Sequence, residues 1–152
     1  MATPFFSIDM GPKEWGAYLQ GAMGYDKAES EPEGTLANIL SKRFPDHSVI
    51  LLPSARLGFY LLLQQAFKPG DEVIFPALGF PLYVKIAIQL GLKPKLIDVE
   101  PEHLNIDPGK LGNSISEQTK GIVVTHLFGH PAEMSEIKKI SSEYGLPIIE
   151  DC

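Results

Sequence analysis

Cysteine is almost missing from this chain: there is one, Cys152. A single thiol excludes an internal disulfide framework and suits a reducing compartment, so a cytoplasmic location is expected. Cationic residues are also scarce, with 13 Lys and Arg against 19 Asp and Glu and a net charge of -6. They form no basic stripe, which argues against nucleic acid as a partner. Long hydrophobic runs are absent. The longest apolar block, 57–63, falls far short of the roughly 20 residues a membrane-spanning helix needs, so no membrane association is expected. The first residues, Met1-Ala-Thr-Pro-Phe-Phe, show no basic stretch followed by an apolar run, so no signal peptide is expected. Neither G-x-G-x-x-G nor G-x-x-x-x-G-K-[ST] occurs, which argues against an ordinary dinucleotide or ATP site.

What is present has the character of a globular protein. The 152 residues suit one domain, and 44% hydrophobic with 21% charged content is not that of a disordered chain. Residues 1–33 carry weak signals: helical turns over 15–20 and an acidic loop over 26–33. The pattern then becomes regular. Helices are expected over 34–44, 54–67, 80–90, 108–115 and 132–144, with Gly91 and Gly145 as C-caps. Short apolar strands are expected over 47–52, 72–75, 95–99, 119–125 and 146–149. The helix over 54–67 is apolar on most sides and is expected to be buried between layers. From 47 onward, strands alternating with helices define an α/β fold: a mostly parallel sheet with helices on both faces.

In such sheets ligands bind beyond the carboxyl ends of the strands. The residues expected there are few. Ser54 follows a strand and opens a helix; it suits an N-cap, and the helix N-terminus suits a phosphate. Phe80 opens another helix and suits either the core or a stacked flat ring. Asp151 suits a cationic ring nitrogen or a capped turn. Glu150 points to the opposite side of the strand from Asp151, so paired-carboxylate hydrolysis is not expected. His126 ends its strand and suits packing, ring contact or proton transfer. His130 lies four residues on, but Gly129 and Pro131 argue against an intervening helix and hence against a metal pair. Nothing activates Cys152 as a nucleophile.

Five stretches carry a resemblance: Val49-Ile-Leu-Leu-Pro-Ser-Ala-Arg56, Pro69-Gly-Asp-Glu-Val-Ile-Phe-Pro76, Gly91-Leu-Lys-Pro-Lys-Leu-Ile-Asp-Val99, Thr119-Lys-Gly-Ile-Val-Val-Thr-His-Leu-Phe-Gly129 and Gly145-Leu-Pro-Ile-Ile-Glu-Asp151. In order and spacing the chain resembles the DegT/DnrJ/EryC1/StrS (sugar) aminotransferases, which are fold-type I enzymes dependent on pyridoxal 5'-phosphate (PLP). The resemblance implies an N-terminal helical and loop segment at 1–45. It implies the front part of an incomplete PLP-binding large domain at 46–152. It places Ser54, Ala55 and Arg56 at the turn that holds the cofactor phosphate, and Phe80 where an aromatic stacks on the pyridine. His126 falls near the cofactor face, and Asp151 on the acid that pairs with the pyridine nitrogen. The family usually has Gly-Thr where this chain has Ala55-Arg56.

The resemblance also implies what this stretch lacks. The Schiff-base lysine of the family follows the aspartate by a few tens of residues, and Lys110, Lys120, Lys138 and Lys139 do not occupy that place. The chain alone is therefore expected to be inactive. In the implied fold the strand at 47–52 pairs with a late strand that is not in this sequence, so the isolated chain is expected to be unstable, aggregation-prone or rearranged. The whole protein is expected to be a homodimer that moves an amino group from an amino acid to a keto sugar linked to a nucleotide. A sugar dehydratase of the same family, with histidine for the lysine, is the alternative. So are a non-catalytic α/β ligand-binding module and a sugar-sensing regulator.

Overall fold

The computed structural model describes residues 32–152. The turns expected over 15–20, and the acidic loop up to residue 31, lie outside the described residues. Pro32 and Glu33, expected in that loop, instead begin helix α1, Pro32–Arg43. Proline is at ease there because the first helical N–H has no intrahelical partner anyway. Two compact units divide the chain between Leu51 and Leu52. In the first, α1 ends in a turn in which the Phe44 amide donates to Leu40 O and the His47 amide to Phe44 O.

Residues 47–52, expected as a strand, form none, and Ile50 is 77% exposed. Their apolar composition favours a strand only where a neighbouring strand accepts their N–H and C=O groups. Among the described residues none pairs with them.

The second unit holds α2 (Ala55–Ala66), β1 (Glu72–Pro76), α3 (Pro81–Gln89), β2 (Lys93–Ile97), α4 (Pro108–Ser114), β3 (Thr119–Thr125), a 3-10 turn (Leu127–Gly129), α5 (Met134–Tyr144) and β4 (Ile148–Asp151). The strands form one parallel sheet in the order β2-β1-β3-β4. Alternation along each strand divides the core in two. Val73, Phe75, Val123 and Ile149 pack against Phe59 and Leu63 of α2 and Tyr83 and Ile86 of α3. Ile74, Ile122, Val124 and Ile148 pack on the other face against Leu111 of α4 and Ile137 of α5.

α2 is less covered than its composition predicts. Phe59 and Leu63 are buried, whereas Leu57, Leu61 and Leu62 are 39–53% exposed. Among the described residues, the helix buries the stripe that meets the sheet and α3, and nothing packs over its opposite side.

The order of the strands fixes a position on the sheet. From β1 the chain crosses to β2 over the α3 face. It then returns past β1 to β3, and on to β4, over the α4 and α5 face. Reversing direction while changing face keeps one handedness for every crossover. The reversal leaves a switch point between β1 and β3, where the two connections leave in opposite directions and open a crevice.

Candidate active site at the switch point

A cleft of about 320 Å³ opens at that point. Its floor is the ends of the two strands, Phe75 and Pro76 of β1 and Val123 and Thr125 of β3. Phe80, Tyr83 and Lys85 form the α3 wall, and Leu96 of β2 closes one side.

Phe80 caps the N-terminus of α3, with Pro81 at the first helical position. It is 53% exposed, so it is not a core aromatic but a ring offered to the cleft. One turn later, Tyr83 is 8% exposed. Its ring stacks on Phe59 of α2 at 4.0 Å and 23°, and meets Phe80 edge-on at 5.4 Å and 80°. Its hydroxyl donates to Asp151 Oδ1 at 3.1 Å. Burial, then the neighbouring Asp151 carboxylate, push the Tyr83 phenol above its ordinary 10.0, so it stays a proton donor at neutral pH.

Asp151 is the last residue of β4, beside Thr125 in the register. The ladder runs two residues further than the strand expected over 146–149, because β3 is long enough to pair with Glu150 and Asp151. Asp151 faces the α3 side, where it meets Tyr83; it reaches the cleft through that contact and does not line it itself. Glu150 faces the other side, where its carboxylate lies 3.4 Å from Lys138 Nζ of α5 and 3.6 Å from His126 Nε2.

Ser54 is the N-cap of α2, accepting from the Leu57 amide at 3.2 Å. The Gly58 amide bonds Ser54 O, while the amides of Ala55 and Arg56 find no acceptor among the described residues. Ala55 and Arg56 are exposed. None of the three lines the cleft itself. The link from their helix to the cleft is Phe59, which touches Tyr83.

His126 is not brought together with Phe80 and Asp151. Its ring lies on the α5 face with Glu150, and its Nδ1 accepts from the Ala132 amide at 3.0 Å. That bond leaves the neutral ring's proton on Nε2, toward Glu150. The strand alternation that separates Glu150 from Asp151 applies equally to His126, which follows Thr125 by one residue.

Two residues were not singled out from sequence. Tyr83 is one; its signal is an aromatic pair at i, i+3 on a helix opening beside a strand end. Asn105 is the other. It is 2% exposed, accepts from the Leu127 amide at 3.0 Å and donates to His130 O at 3.0 Å. It thus ties down the turn after β3, in which Phe128 has φ 54° and Gly129 φ 80°. No motif marks a lone asparagine of this kind.

Comparison with known proteins agrees with this architecture. Residues 40–152 match the DegT/DnrJ/EryC1/StrS aminotransferase family. The chain is 39% identical over 119 residues to the lipopolysaccharide biosynthesis protein RfbH of Salmonella typhimurium, covering 78% of this chain and 24% of that protein. It is 34% identical over 128 residues to a dTDP-4-dehydro-2,6-dideoxy-D-glucose 3-dehydratase of Saccharopolyspora spinosa, covering 84% and 25%. Among solved structures, ntda from Bacillus subtilis with bound cofactor PMP superposes with a TM-score of 0.82 and 30% identity, over 98% of this chain and 36% of that one. The chain thus spans about a quarter of the length of the curated relatives it matches. Its sheet is that of an incomplete fold-type I PLP-enzyme domain, and the chain belongs to the DegT/DnrJ/EryC1/StrS aminotransferase family.

Proposed function

We propose that this chain is the front part of the large domain of a PLP-dependent enzyme that acts on a keto sugar linked to a nucleotide, and that the reaction is a dehydration. The observation that carries the cofactor reading is the conjunction at the switch point of an exposed aromatic, Phe80, and a carboxylate, Asp151, joined through Tyr83. The residues fit the group. The first-turn amides of α2 at Ala55 and Arg56 suit its phosphate, with the helix dipole favouring the negative charge. Phe80 suits the face of its ring and fixes the plane. Asp151 would pair with the ring nitrogen, where an opposite charge in contact favours its proton by about 1–3 pH units. The floor of Phe75, Pro76 and Val123 excludes water from one side. When bound, PLP supplies an electron sink, which a protonated ring deepens.

Dehydration is preferred to amino transfer because the relative that covers 84% of this chain at 34% identity is a 3-dehydratase. Amino transfer, the activity that names the family, is the second reading. The whole protein is proposed to be a homodimer. The test uses the intact protein with PLP, glutamate and a nucleotide-linked 4-keto hexose. Loss of the sugar's 3-hydroxyl with no nitrogen gained, glutamate being oxidised to its keto acid and ammonia released, supports dehydration, and gain of an amino group supports the second reading. An intact protein that takes up no PLP contradicts both.

A further inference from the structure

Among the described residues, Tyr83 joins both halves of the proposed ring site. Its hydroxyl holds Asp151 Oδ1 at 3.1 Å, and its ring edge meets Phe80 at 5.4 Å. Stacking on Phe59 at 4.0 Å holds that ring from behind, within the core that also contains Phe75 and Val123. Asp151 Oδ2 has no hydrogen-bond partner among the described residues. We infer that Tyr83 is a positioning residue. By occupying Oδ1 it turns Oδ2 toward the ring nitrogen of the cofactor, and by bracing Phe80 it sets the stacking plane to match. This rests on the PLP reading above.

The geometry makes the role specific. A carboxylate on a strand end rotates about two side-chain bonds, and one oxygen pinned by a phenol removes most of that freedom. The hydroxyl is retained as a donor because burial disfavours the phenolate. Of the other titratable groups at this edge, Lys85 lines the cleft, while His126 and Glu150 face each other on the opposite side of the sheet.

Two variants of the intact protein test this. Without cofactor, D151N removes the charge facing Tyr83, so the phenol of Tyr83, followed by labelled-tyrosine NMR, ionises at lower pH. With PLP, Y83F keeps the ring packing and loses only the hydroxyl. Its affinity for PLP is expected to fall roughly two- to tenfold, and the absorbance of the bound ring to titrate at lower pH than in the wild type. Ring-fluorinated tyrosine at position 83, a stronger donor that keeps the packing, is expected to move that titration the opposite way. It stands in should Y83F not fold. If the wild type takes up PLP and the variants bind it with unchanged affinity and titration, the role of Tyr83 is overturned while the cofactor reading stands. If the wild type takes up no PLP, the cofactor reading fails and carries the inference with it. A Tyr83 phenol unmoved by D151N overturns the contact itself.

Discussion

Replacing Gly121 with alanine should strain the sheet where α2 crosses it. Gly121 lies in β3, buried, on the face that also carries Val123. A Cβ there would stand 2.6 Å from Phe67 Cε1 and closer still to Cζ, far inside the 3.0 Å limit that real Cβ contacts respect. Phe67 cannot simply swing aside, since it is 7% exposed and belongs to the α2–α3 core. Forcing a methyl into such a core costs about 1–3 kcal/mol. The loss of glycine's freedom in the unfolded chain returns about 0.4–1 kcal/mol. A net destabilisation of about 1–2 kcal/mol follows, or a melting point lower by about 2–8 °C for a chain of this length. Urea melts of wild type, G121A, F67L and the double variant would measure it. Leucine at 67 shortens the ring away from the new methyl, so the double variant should exceed the additive expectation in stability by about 1 kcal/mol. A G121A protein as stable as wild type, or a cycle additive within about 0.3 kcal/mol, would refute the close approach.

Other consequences can be checked alongside. N105A strips the Leu127 amide and His130 carbonyl of their buried partner; a loss of about 1–3 kcal/mol is expected, with faster hydrogen exchange at Leu127, and unchanged exchange would count against the tether. Glu72 joins three strands at the opposite end of the sheet, accepting from Thr119, Ser116 and Lys95. Burial alone would raise its pKa, but the Thr119 and Ser116 hydrogen bonds and the Lys95 charge prevail and hold it below the ordinary 4.5. Its contribution is therefore complete above pH 4.5 and is lost as pH falls through the lower folded value. E72Q should be less stable than wild type at pH 7, and the gap should close in strong acid; a pH-independent gap would contradict the linkage. Y83F, as above, should loosen PLP and alter the ring titration while sparing the fold.

Much of this was legible in the chain because apolar periodicity and punctuation agreed. β3 is expected over 119–125 and runs Thr119–Thr125, with the apolar Ile122-Val-Val124 at its centre buried on both faces of the sheet. Gly145, expected as a C-cap, is left-handed at φ 63° and ends α5. Gly91, expected as the cap of α3, takes φ 76° one residue beyond the capping Leu90. The stretch at 47–52 forms no strand among the described residues. Its residues are as strand-like as those of β1, and the strand that the resemblance implies as its partner is not in this sequence. The exposed side of α2 was equally hidden, since leucines facing solvent and leucines facing a core are spelled alike. At the site, the side of the sheet decided what could meet. Alternation separated Glu150 from Asp151 in advance, and the same rule places His126 with Glu150. The Tyr83–Asp151 contact joins residues 68 apart in sequence, and no local pattern encodes such a pair.

Titrating PLP into the intact protein and into its D151A variant, with the absorbance of the bound ring followed against pH, bears most directly on the switch-point site. The wild type should bind with the ring nitrogen protonated at neutral pH, and in D151A that proton should be lost about 1–3 pH units lower. Equal ring titration in the two proteins, or no uptake by the wild type, would contradict a cofactor held at Asp151.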